Sequence, residues 1–270
     1  MRGFSVVLPV YEEGAALRSS LERLVTFLHS FASSGDWELI VVDDGSSDDT
    51  ATLVEAFRSA DPVHVRFLQH PANLGLTAAL ETGSAVATKP VVVVVDADLS
   101  YAPETIGALV SALNETGAAC ALASPYMRGG TVGNVPFGRL AASVIANRLL
   151  SWCAAGRVKT LTGMVRAYDA QLLCELLASR TDADFNSWSV AVMLASKLPL
   201  VEVPARLSWP EHRRLEAGRL SFATLRTRTI GVLRSAACLL GLRPAQAGFG
   251  PLGGTFVPSK LGDGLMSGHR

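Results

Sequence analysis

The stretch VVVVVDADLS, residues 91–100, places five valines directly before two carboxylates. A short run that is apolar on both faces is typical of a strand buried inside a sheet. Because alternate residues of an extended chain point the same way, we expect Asp96 and Asp98 to face one ligand, with Ala97 turned into the protein. Two adjacent carboxylates are most easily kept ionised by a divalent cation, which predicts a Mg²⁺ or Mn²⁺ site. A turn whose aspartates only cap the helix near Pro103 is the alternative.

Similar apolar runs recur along the first half of the chain. Predicted strands lie at 4–10, 38–43, 63–68 and 91–96, and predicted helices at 14–32, 48–59 and 75–87. This alternation predicts an α/β fold in which a mainly parallel sheet is flanked by helices. Ligands of such a sheet bind beyond the carboxyl ends of its strands. The unusual residues at those ends are Pro9, Tyr11, Glu12, Glu13, Asp43, Asp44, Asp96 and Asp98.

The second predicted strand also ends in paired acids, Asp43 and Asp44, before a Gly-Ser turn. A helix N-cap is expected among Ser46 to Asp48. A carboxylate at this place can accept hydrogen bonds from the N–H edge of a nucleobase or from ribose hydroxyls, a role that Glu13 on the neighbouring strand end can share. Local capping or an Asx-turn is the alternative for one of the acids.

Composition excludes several classes of protein. The chain has 270 residues, of which 49% are hydrophobic, with 24 basic and 24 acidic side chains, so wholesale disorder and simple basic nucleic-acid binding are excluded. The charges are segregated: residues 1–119 carry 6 Lys and Arg against 16 Asp and Glu, and residues 120–270 carry 18 against 8. The four cysteines are far apart without a C-x-x-C pair, which indicates neither a zinc site nor a disulfide framework and favours a reducing compartment.

Two helical patterns occur in the basic half. In the first, Arg139, Ser143 and Asn147 lie at i, i+4 and i+8 on one face, while Leu140, Val144, Ile145 and Leu149 can face apolar material. Such a face can hold an anionic phosphate at a membrane surface. A solvated surface helix is the alternative.

The second pattern lies within residues 206–243, which contain eight arginines against Glu211 and Glu216. Its apolar stripe comprises Phe222, Leu225, Thr229, Val232, Ala236 and Leu240. Arg228 and Arg234 lie off that face. The pattern is typical of a helix in a lipid interface, where each basic residue near an anionic leaflet contributes about 1 kcal/mol. A helix packed on the domain with its arginines in water is the alternative.

The expected organisation has three parts. Residues 1–210 form the α/β domain, 211–245 a basic amphipathic segment at the membrane surface, and 246–270 a disordered Gly-rich tail.

In a second D-A-D sequence, Asp184 is interpreted as an N-cap, and Asp182 or Asp184 as a general base is the alternative. Trp152, Trp188 and Trp209 are interpreted as packing residues, with a sugar or lipid groove as the alternative.

The ordered set of motifs resembles family 2 glycosyltransferases of the GT-A fold. It comprises LPVYEEGAAL (8–17), ELIVVDDGSSDDT (38–50), HPANLGLTAALETGSAVA (70–87), VVVVVDADLSYAPETI (91–106), SPYMRGG (124–130) and LTGMVRAYD (161–169). Within that family the chain is most similar to polyprenyl (dolichyl) phosphate mannose synthases. The resemblance covers roughly residues 4–210 and is specific as an ordered set.

The resemblance implies which site residues bind the donor, the metal and the acceptor. Pro9, Tyr11, Glu13, Asp43, Asp44, Asn73 and Asp96 are expected at the nucleoside diphosphate sugar, with Asp44 in a supporting role. Asp96, Asp98 and Ser100 are the expected metal ligands. The acceptor phosphate is expected at Arg139 and Ser143, with Arg128 as a further candidate, and catalysis at Asp98 and Arg139.

The chain departs from the family pattern in three places. Glu12 stands where relatives often have Asn, next to the retained Glu13. Pro125 stands where relatives carry an arginine that contacts the donor phosphate, and Arg128 is the candidate phosphate-binding substitute. The acidic residue usual in the later helix has no counterpart in FNSWSVAVMLASK, residues 185–197.

The residue patterns and the resemblance together predict a metal-dependent hexosyltransferase, and the resemblance implies that it is an inverting one. It would transfer a hexose, with mannose expected, from GDP-mannose or a UDP-hexose to polyprenyl phosphate at the cytoplasmic face of the cell membrane. One alternative is a glycosyltransferase that acts on a sugar hydroxyl in cell-wall or exopolysaccharide synthesis, which needs a general base. The other is a non-catalytic paralogue, suggested by Pro125 and by the missing later acid.

Overall fold

The computed structural model of the protein describes residues 2–33, 35–179, 184–211 and 222–242. Its strands are β1 Phe4–Val10, β2 Trp37–Asp43, β3 Val65–Gln69, β4 Val91–Val94, β5 Cys120–Ser124, β6 Thr131–Gly133, β7 Arg166–Asp169, β8 Leu200–Pro204 and β9 Arg206–Ser208. Its helices are α1 Ala16–Phe31, α2 Thr50–Ala60, α3 Leu76–Val86, α4 Glu104–Thr116, α5 Phe137–Cys153, α6 Ala170–Ala178, α7 Phe185–Ala195 and α8 Phe222–Leu239.

Seven strands form one sheet in the order β3-β2-β1-β4-β7-β5-β8. Every pairing in it is parallel except the two made by β7, which runs antiparallel between β4 and β5. A small second sheet pairs β6 with β9. The expected α/β fold with a mainly parallel sheet is therefore confirmed, and β7 is an element that the sequence patterns did not reveal.

The sheet is buried on both faces because successive residues of each strand point to opposite sides. In β1, Val6 and Leu8 join the core that includes α1, α2 and α4, whereas Val7 joins the core on the other face with α3, α5, α6, α7 and α8. Leu17, Leu21, Leu24 and Leu28 of α1 are fully buried. Their spacing of three and four residues explains why this stretch folds as a helix against the sheet.

Two strand boundaries differ from the predictions by two residues, and the others by at most one. β3 begins at Val65 rather than 63, because residues 61–64 form a turn in which the Val65 N–H donates to the Asp61 carbonyl (2.9 Å). β4 ends at Val94 rather than 96, because the chain turns at the D-A-D sequence. The predicted helices at 14–32, 48–59 and 75–87 are confirmed within two residues at each end.

Helix α8 packs against α5 and α7. Ala236 and Cys238 are buried in the core, and Val232 packs against them. The prediction that Val232 and Ala236 face lipid is therefore wrong, and the alternative of a helix packed on the domain describes this part of α8. Residues 212–221 and 243–270, including the predicted Gly-rich tail, lie outside the described residues.

Glu38 of β2 is a buried carboxylate that four donors satisfy. Its Oε1 accepts from Ser5 Oγ (2.6 Å) and from the N–H and hydroxyl of Thr88 (2.6 and 2.8 Å), and its Oε2 lies 3.5 Å from Arg66. Burial alone would raise the pKa of Glu38, but the hydrogen bonds and the Arg66 charge outweigh it and hold the pKa below its ordinary 4.5. The ionised side chain thus ties β1, β2, β3 and the residues before β4 together.

We expect Glu38→Gln to lower the free energy of unfolding by about 1–3 kcal/mol at pH 7, because an amide cannot satisfy all of these donors. Urea denaturation measures the loss. A folded-state pKa below the unfolded value stabilises the protein above pH 4.5, and this stabilisation disappears as the pH falls through the folded pKa. The wild type and the variant should therefore converge in stability in that acid range. A stability difference between the two proteins that stays constant across this pH range would contradict the stabilising role of the ionised Glu38.

Candidate functional site

The candidate site lies where the strand order of the sheet reverses. From β1 the chain proceeds outward to β2 and β3, whereas β4 adds on the opposite side of β1. The β1–β4 pairing ends at Val7 and Val94, beyond which Pro9 has no N–H to offer a neighbour. A crevice therefore opens between the carboxyl ends of β1 and β4, at the position where open α/β sheets bind their ligands.

Asp43 is the last residue of β2 and is completely buried. Its Oδ1 accepts from the backbone N–H of Ser46 (3.0 Å) and from the Ser46 hydroxyl, and its Oδ2 accepts from Gln69 Nε2 (3.0 Å). Through its Asx-type hydrogen bonds to Ser46, the Asp43 carboxylate stabilises the turn after β2. All three of these donors belong to the protein itself.

Asp44 fixes the loop that leads into α3. Its Oδ1 accepts from His70 Nδ1 (2.8 Å) and from the N–H of Leu74 (2.9 Å), and its Oδ2 accepts from the N–H of Gly75 (2.8 Å). The neighbouring Gly45 has φ +75°, and a Cβ there would lie 2.3 Å from the Ala72 carbonyl carbon, so only glycine fits. The loop that carries the exposed Asn73 is thereby held against the end of β2.

The segment after β1 is fastened to the turn after β2. Glu12 has φ +50°, and its N–H donates to Ser46 Oγ (2.9 Å). The N–H of Glu13 donates to Thr50 Oγ1 (3.1 Å), which also accepts from Gly14. Tyr11 is left 41% exposed at the crevice. The N-cap of α2 is Asp49, one residue beyond the predicted range, although Asp48 accepts from the Thr50 N–H (3.0 Å).

Asp96 and Asp98 lie in a turn rather than in an extended strand, and Leu99 there has φ +47°. Ala97 is buried while both aspartates are partly exposed, so the predicted division of side chains is confirmed. Ser100 links the two acids: its hydroxyl donates to Asp96 Oδ2 (3.1 Å) and its N–H to Asp98 Oδ1 (2.9 Å). Both partly exposed carboxylates lie just beyond the end of β4.

These three side chains supply oxygen ligands of the kind that Mg²⁺ and Mn²⁺ prefer. Two carboxylates and a hydroxyl leave coordination positions for phosphate oxygens and water. The arrangement fits a cation that is shared with a diphosphate.

Tyr101, which the sequence patterns did not single out, is a neighbour of this turn. It is buried, and its backbone pairs with Leu207. Burial raises the pKa of Tyr101 far above its ordinary value, and the nearby charge of Asp96 raises it further. The phenol therefore stays neutral beside the acidic pair. Its place immediately after D-A-D-L-S is the only signal in the sequence that could have indicated it.

Helix α5 carries the predicted phosphate-binding residues. The Arg139 guanidinium lies over the Trp209 ring, with Cζ 5.4 Å from the ring centroid. Ser143 Oγ accepts from the Tyr126 hydroxyl (2.9 Å), which ties α5 to the segment after β5. Both side chains are partly exposed. Arg128 is exposed in the turn between β5 and β6.

Asn147 does not belong to this exposed face, contrary to the prediction. It is buried, its Nδ2 donates to Thr162 Oγ1 (2.8 Å), and its Oδ1 accepts from the N–H of Leu161 (2.7 Å). The eight residues from Arg139 carry it around the helix to the domain interior. Asn147 instead fastens the segment before β7.

That segment is held by other side chains as well. Glu202 of β8 accepts from the N–H groups of Lys159 (2.8 Å) and Thr160 (2.9 Å), and Thr160 Oγ1 is hydrogen bonded to Ser124 Oγ (2.7 Å). The Arg166 side chain, which is fully buried, donates to the Leu161 carbonyl (2.7 Å). The irregular chain beside α5 is therefore rigidly positioned next to the end of β5.

A family model described as glycosyl transferase family 2 matches residues 5–173, which contain the crevice and both aspartate motifs. The chain belongs to glycosyltransferase family 2. It is therefore an enzyme of sugar transfer, and the expectation drawn from the motifs is confirmed.

Curated relatives of this glycosyltransferase include prenyl phosphate enzymes. It is 30% identical to the polyprenol monophosphomannose synthase of Mycolicibacterium smegmatis over 227 residues, which cover 82% of each chain. It is 36% identical to a dolichol-phosphate mannosyltransferase of Pyrococcus furiosus over 135 residues, which cover 50% of this chain and 36% of that one.

Solved structures share the fold. A glucosyl-3-phosphoglycerate synthase from Mycobacterium tuberculosis, crystallised with Mn²⁺ and uridine diphosphate, superposes with a TM-score of 0.61 at 21% identity, covering 89% of this chain and 80% of that one. A mannosyltransferase from Pyrobaculum calidifontis, in complex with GDP-Man and Mn²⁺, gives 0.56 at 17% identity, covering 89% and 74%. The GT-A type of fold is thus confirmed.

Asp98→Asn should weaken Mn²⁺ binding at least about tenfold in the presence of a nucleoside diphosphate, because the site loses one of its two charges. The amide oxygen can still accept from the Ser100 N–H, so the turn should keep its shape. Electron paramagnetic resonance of free Mn²⁺ measures the affinity.

Asp48→Asn is the matched control, because Asp48 makes the same contact with the N–H two residues on. It should leave Mn²⁺ affinity unchanged. Equal affinities for all three proteins would remove Asp98 from the metal site.

Proposed function

We propose that this glycosyltransferase transfers a hexose, with mannose favoured, from a nucleoside diphosphate sugar to a polyprenyl phosphate at the cytoplasmic face of the cell membrane. The observation that carries the proposal is the two-sided character of α5. One side presents Arg139 and Ser143 beside the site, and the other presents an exposed apolar surface. A polyprenyl phosphate has the matching pair of features, an anionic head and an apolar chain.

The donor is assigned to the crevice between β1 and β4. We assign Asp43, which is completely buried at the end of β2, and the partly exposed Glu13 to the base or ribose. Tyr11 is exposed at the edge, and the loop with Asn73 borders the opening. GDP-mannose and a UDP-hexose are both compatible with these groups. Mannose is favoured because the two relatives described above are named for mannose transfer.

The diphosphate is assigned to Asp96, Asp98 and Ser100. A Mg²⁺ or Mn²⁺ ion held there would offset the charge that develops on the departing diphosphate. Ser100 keeps the two carboxylates in register through its hydroxyl and its N–H. Ala97, between the two acids, is buried.

The acceptor phosphate is assigned to Arg139 and Ser143. The Arg139 guanidinium lies over the Trp209 ring, and a guanidinium can make a bidentate contact with phosphate. The Ser143 oxygen accepts from Tyr126 and, at 3.4 Å, from Asn147, so its own O–H remains to be donated. A phosphate is already ionised at neutral pH and attacks the anomeric carbon with inversion, without a general base.

The lipid is assigned to the opposite side of α5. Its exposed apolar side chains are Phe137, Ile145, Leu149 and Trp152, with exposed fractions of 85%, 67%, 39% and 74%. At 100° per residue they lie within about 120° of the helix surface. Trp152 therefore belongs to this surface rather than to a packed core, as does the exposed Arg148.

Basic residues accompany this apolar surface. Arg226, Arg228 and Arg234 of α8, which packs on α5, are exposed together with Leu233. Such a combination favours peripheral contact with an anionic leaflet. None of the helices among the described residues has the length and hydropathy needed to cross a bilayer.

The alternative of a hydroxyl acceptor needs a general base, and Asp184 is engaged elsewhere. Its carboxylate accepts from the Asn186 N–H (3.2 Å) and from Ser187 Oγ (3.0 Å) as the N-cap of α7. Gly231 of α8 packs against it, since a Cβ at that position would lie 2.7 Å from the Asp184 Cβ. Asp182, the other candidate base, lies outside the described residues.

Arg139→Ala and Arg139→Lys test the acceptor assignment. Both should raise the KM for polyprenyl phosphate, Ala more than Lys, because lysine supplies charge without the fork of a guanidinium. Donor affinity measured by calorimetry should stay within about twofold of wild type, since losses of less than about 0.5 kcal/mol are typical of sites away from a contact.

Two results would contradict the assignment. Unaltered acceptor kinetics in Arg139→Ala would remove this residue from the site and weaken the polyprenyl phosphate proposal itself. Equal losses for donor and acceptor would place Arg139 at the donor phosphate, as the replacement for the arginine that Pro125 displaces.

The double variant Ile145→Ser and Trp152→Ser tests the lipid surface. It should bind vesicles that contain anionic phospholipid at least about tenfold more weakly, because each buried large apolar side chain contributes about 1.5–3 kcal/mol. Sedimentation with vesicles measures the bound fraction. Binding by the wild type should also fall as salt rises, because exposed charges are screened beyond about 8 Å at physiological ionic strength.

Val63→Ser is the matched control, because Val63 is 78% exposed but lies between α2 and β3, away from α5. It should bind vesicles like the wild type. Unchanged binding by the double variant, or equal binding of the wild type to neutral and anionic vesicles, would contradict the proposed surface.

A further inference from the structure

A second group of ligating side chains lies beside the amino-terminal ends of β2 and β3, at the opposite end of the strands from the crevice. His29 lies in the last turn of α1, and Asp61 and His64 belong to the turn between α2 and β3. The wall behind them is Trp37, the first residue of β2. None of these residues belongs to the proposed donor or acceptor sites.

The three side chains converge on one point. His29 Nε2 lies 2.9 Å from Asp61 Oδ2, and His64 Nδ1 lies 2.8 Å from Asp61 Oδ1. The ligand atoms all lie within 4.8 Å of one another. It is the one group of three or more His, Cys, Asp or Glu residues with this spacing in the described part of the chain.

The aromatic surroundings fix the orientation of the rings. The His64 ring stacks on Trp37, with centroids 4.4 Å apart and planes at 11°. The His29 ring meets both Trp37 and His64 edge-on, at 4.9 and 5.0 Å. His64 is buried, while the His29 side chain is 48% exposed. Packing therefore holds the His64 ring in place, whereas His29 borders solvent, from which an ion can enter.

The local electrostatics favour a cation. His29 is in the last turn of α1, and Asp61 is the C-cap of α2, so the negative ends of two helix dipoles meet at the group. Asp61 adds a carboxylate between two imidazoles. Two imidazoles and one carboxylate form a ligand set that suits Zn²⁺ and related transition metals, whereas the oxygen ligands at Asp96 and Asp98 suit Mg²⁺ or Mn²⁺.

We propose that His29, Asp61 and His64 form a second metal site that binds Zn²⁺, separate from the catalytic cation. Water completes the coordination on the solvent side. The ion connects the end of α1 to the turn before β3 and thereby stabilises the donor-binding half of the domain. This site is independent of the acceptor and of the sugar that the enzyme uses.

The test uses the full chain after removal of metals with EDTA. Adding Zn²⁺ should raise the Tm of the wild type, because an ion that binds only the folded state stabilises it by mass action. Adding Co²⁺ should give the visible absorption bands of a four-coordinate nitrogen and oxygen site. Asp98→Asn should retain both signals, because the second site is intact in that variant.

His29→Gln is the discriminating variant. Glutamine can still donate a hydrogen bond to Asp61 but is a poor ligand for Zn²⁺, so the variant should match the wild-type Tm in EDTA and lose both metal signals. Asp61→Asn, which keeps an oxygen toward His64, should lose them as well. Full retention of the signals in these two variants would overturn the proposal. So would their loss in Asp98→Asn, or their absence from the wild type.

Discussion

Backbone N–H groups in the loops around the site need acceptors, and side chains of the strands and helices supply them. Asp43 accepts from the turn after β2, and Asp44 from the loop before α3. Glu202 and Asn147 do the same for the chain before β7. An unpaired N–H in these positions would cost about as much as a lost hydrogen bond. Without these acceptors the loops would have no fixed shape, and the crevice would have no walls.

The sequence was sufficient to predict the elements whose residues follow a clear period. The α1 leucines and the strands 4–10 and 38–43 lie where hydrophobic spacing indicates them. β7 was not predictable in this way, because its four residues are too few to establish a period and its antiparallel direction depends on tertiary pairing. The early end of β4 results from the turn around Ser100, a contact that periodicity does not encode.

The candidate site was predicted unevenly for a related reason. Asp43, Asp96 and Asp98 could be predicted as site residues because they directly follow apolar strands, and the end of a strand fixes where such side chains lie. Asn147 was assigned to the phosphate face, but helical spacing alone does not indicate where a face becomes buried, and the chain before β7 covers it. Tyr101 escaped prediction because its position depends on its pairing with Leu207. Trp209 was interpreted as a packing residue, and its contact with Arg139 depends on tertiary structure that the sequence does not show.

The position of β7 has a consequence for the order in which the domain assembles. β4 and β5 follow one another in the chain, yet they are joined in the sheet only through β7, which pairs residues 91–94 with residues 166–169. During synthesis, β1 to β4 can pair through short crossovers, whereas β5 has no partner in the sheet until β7 emerges. Closing that longer loop costs more chain entropy, so this pairing forms more slowly. The half assigned to the nucleotide can therefore form first, and the half assigned to the lipid is added to it as a completed edge.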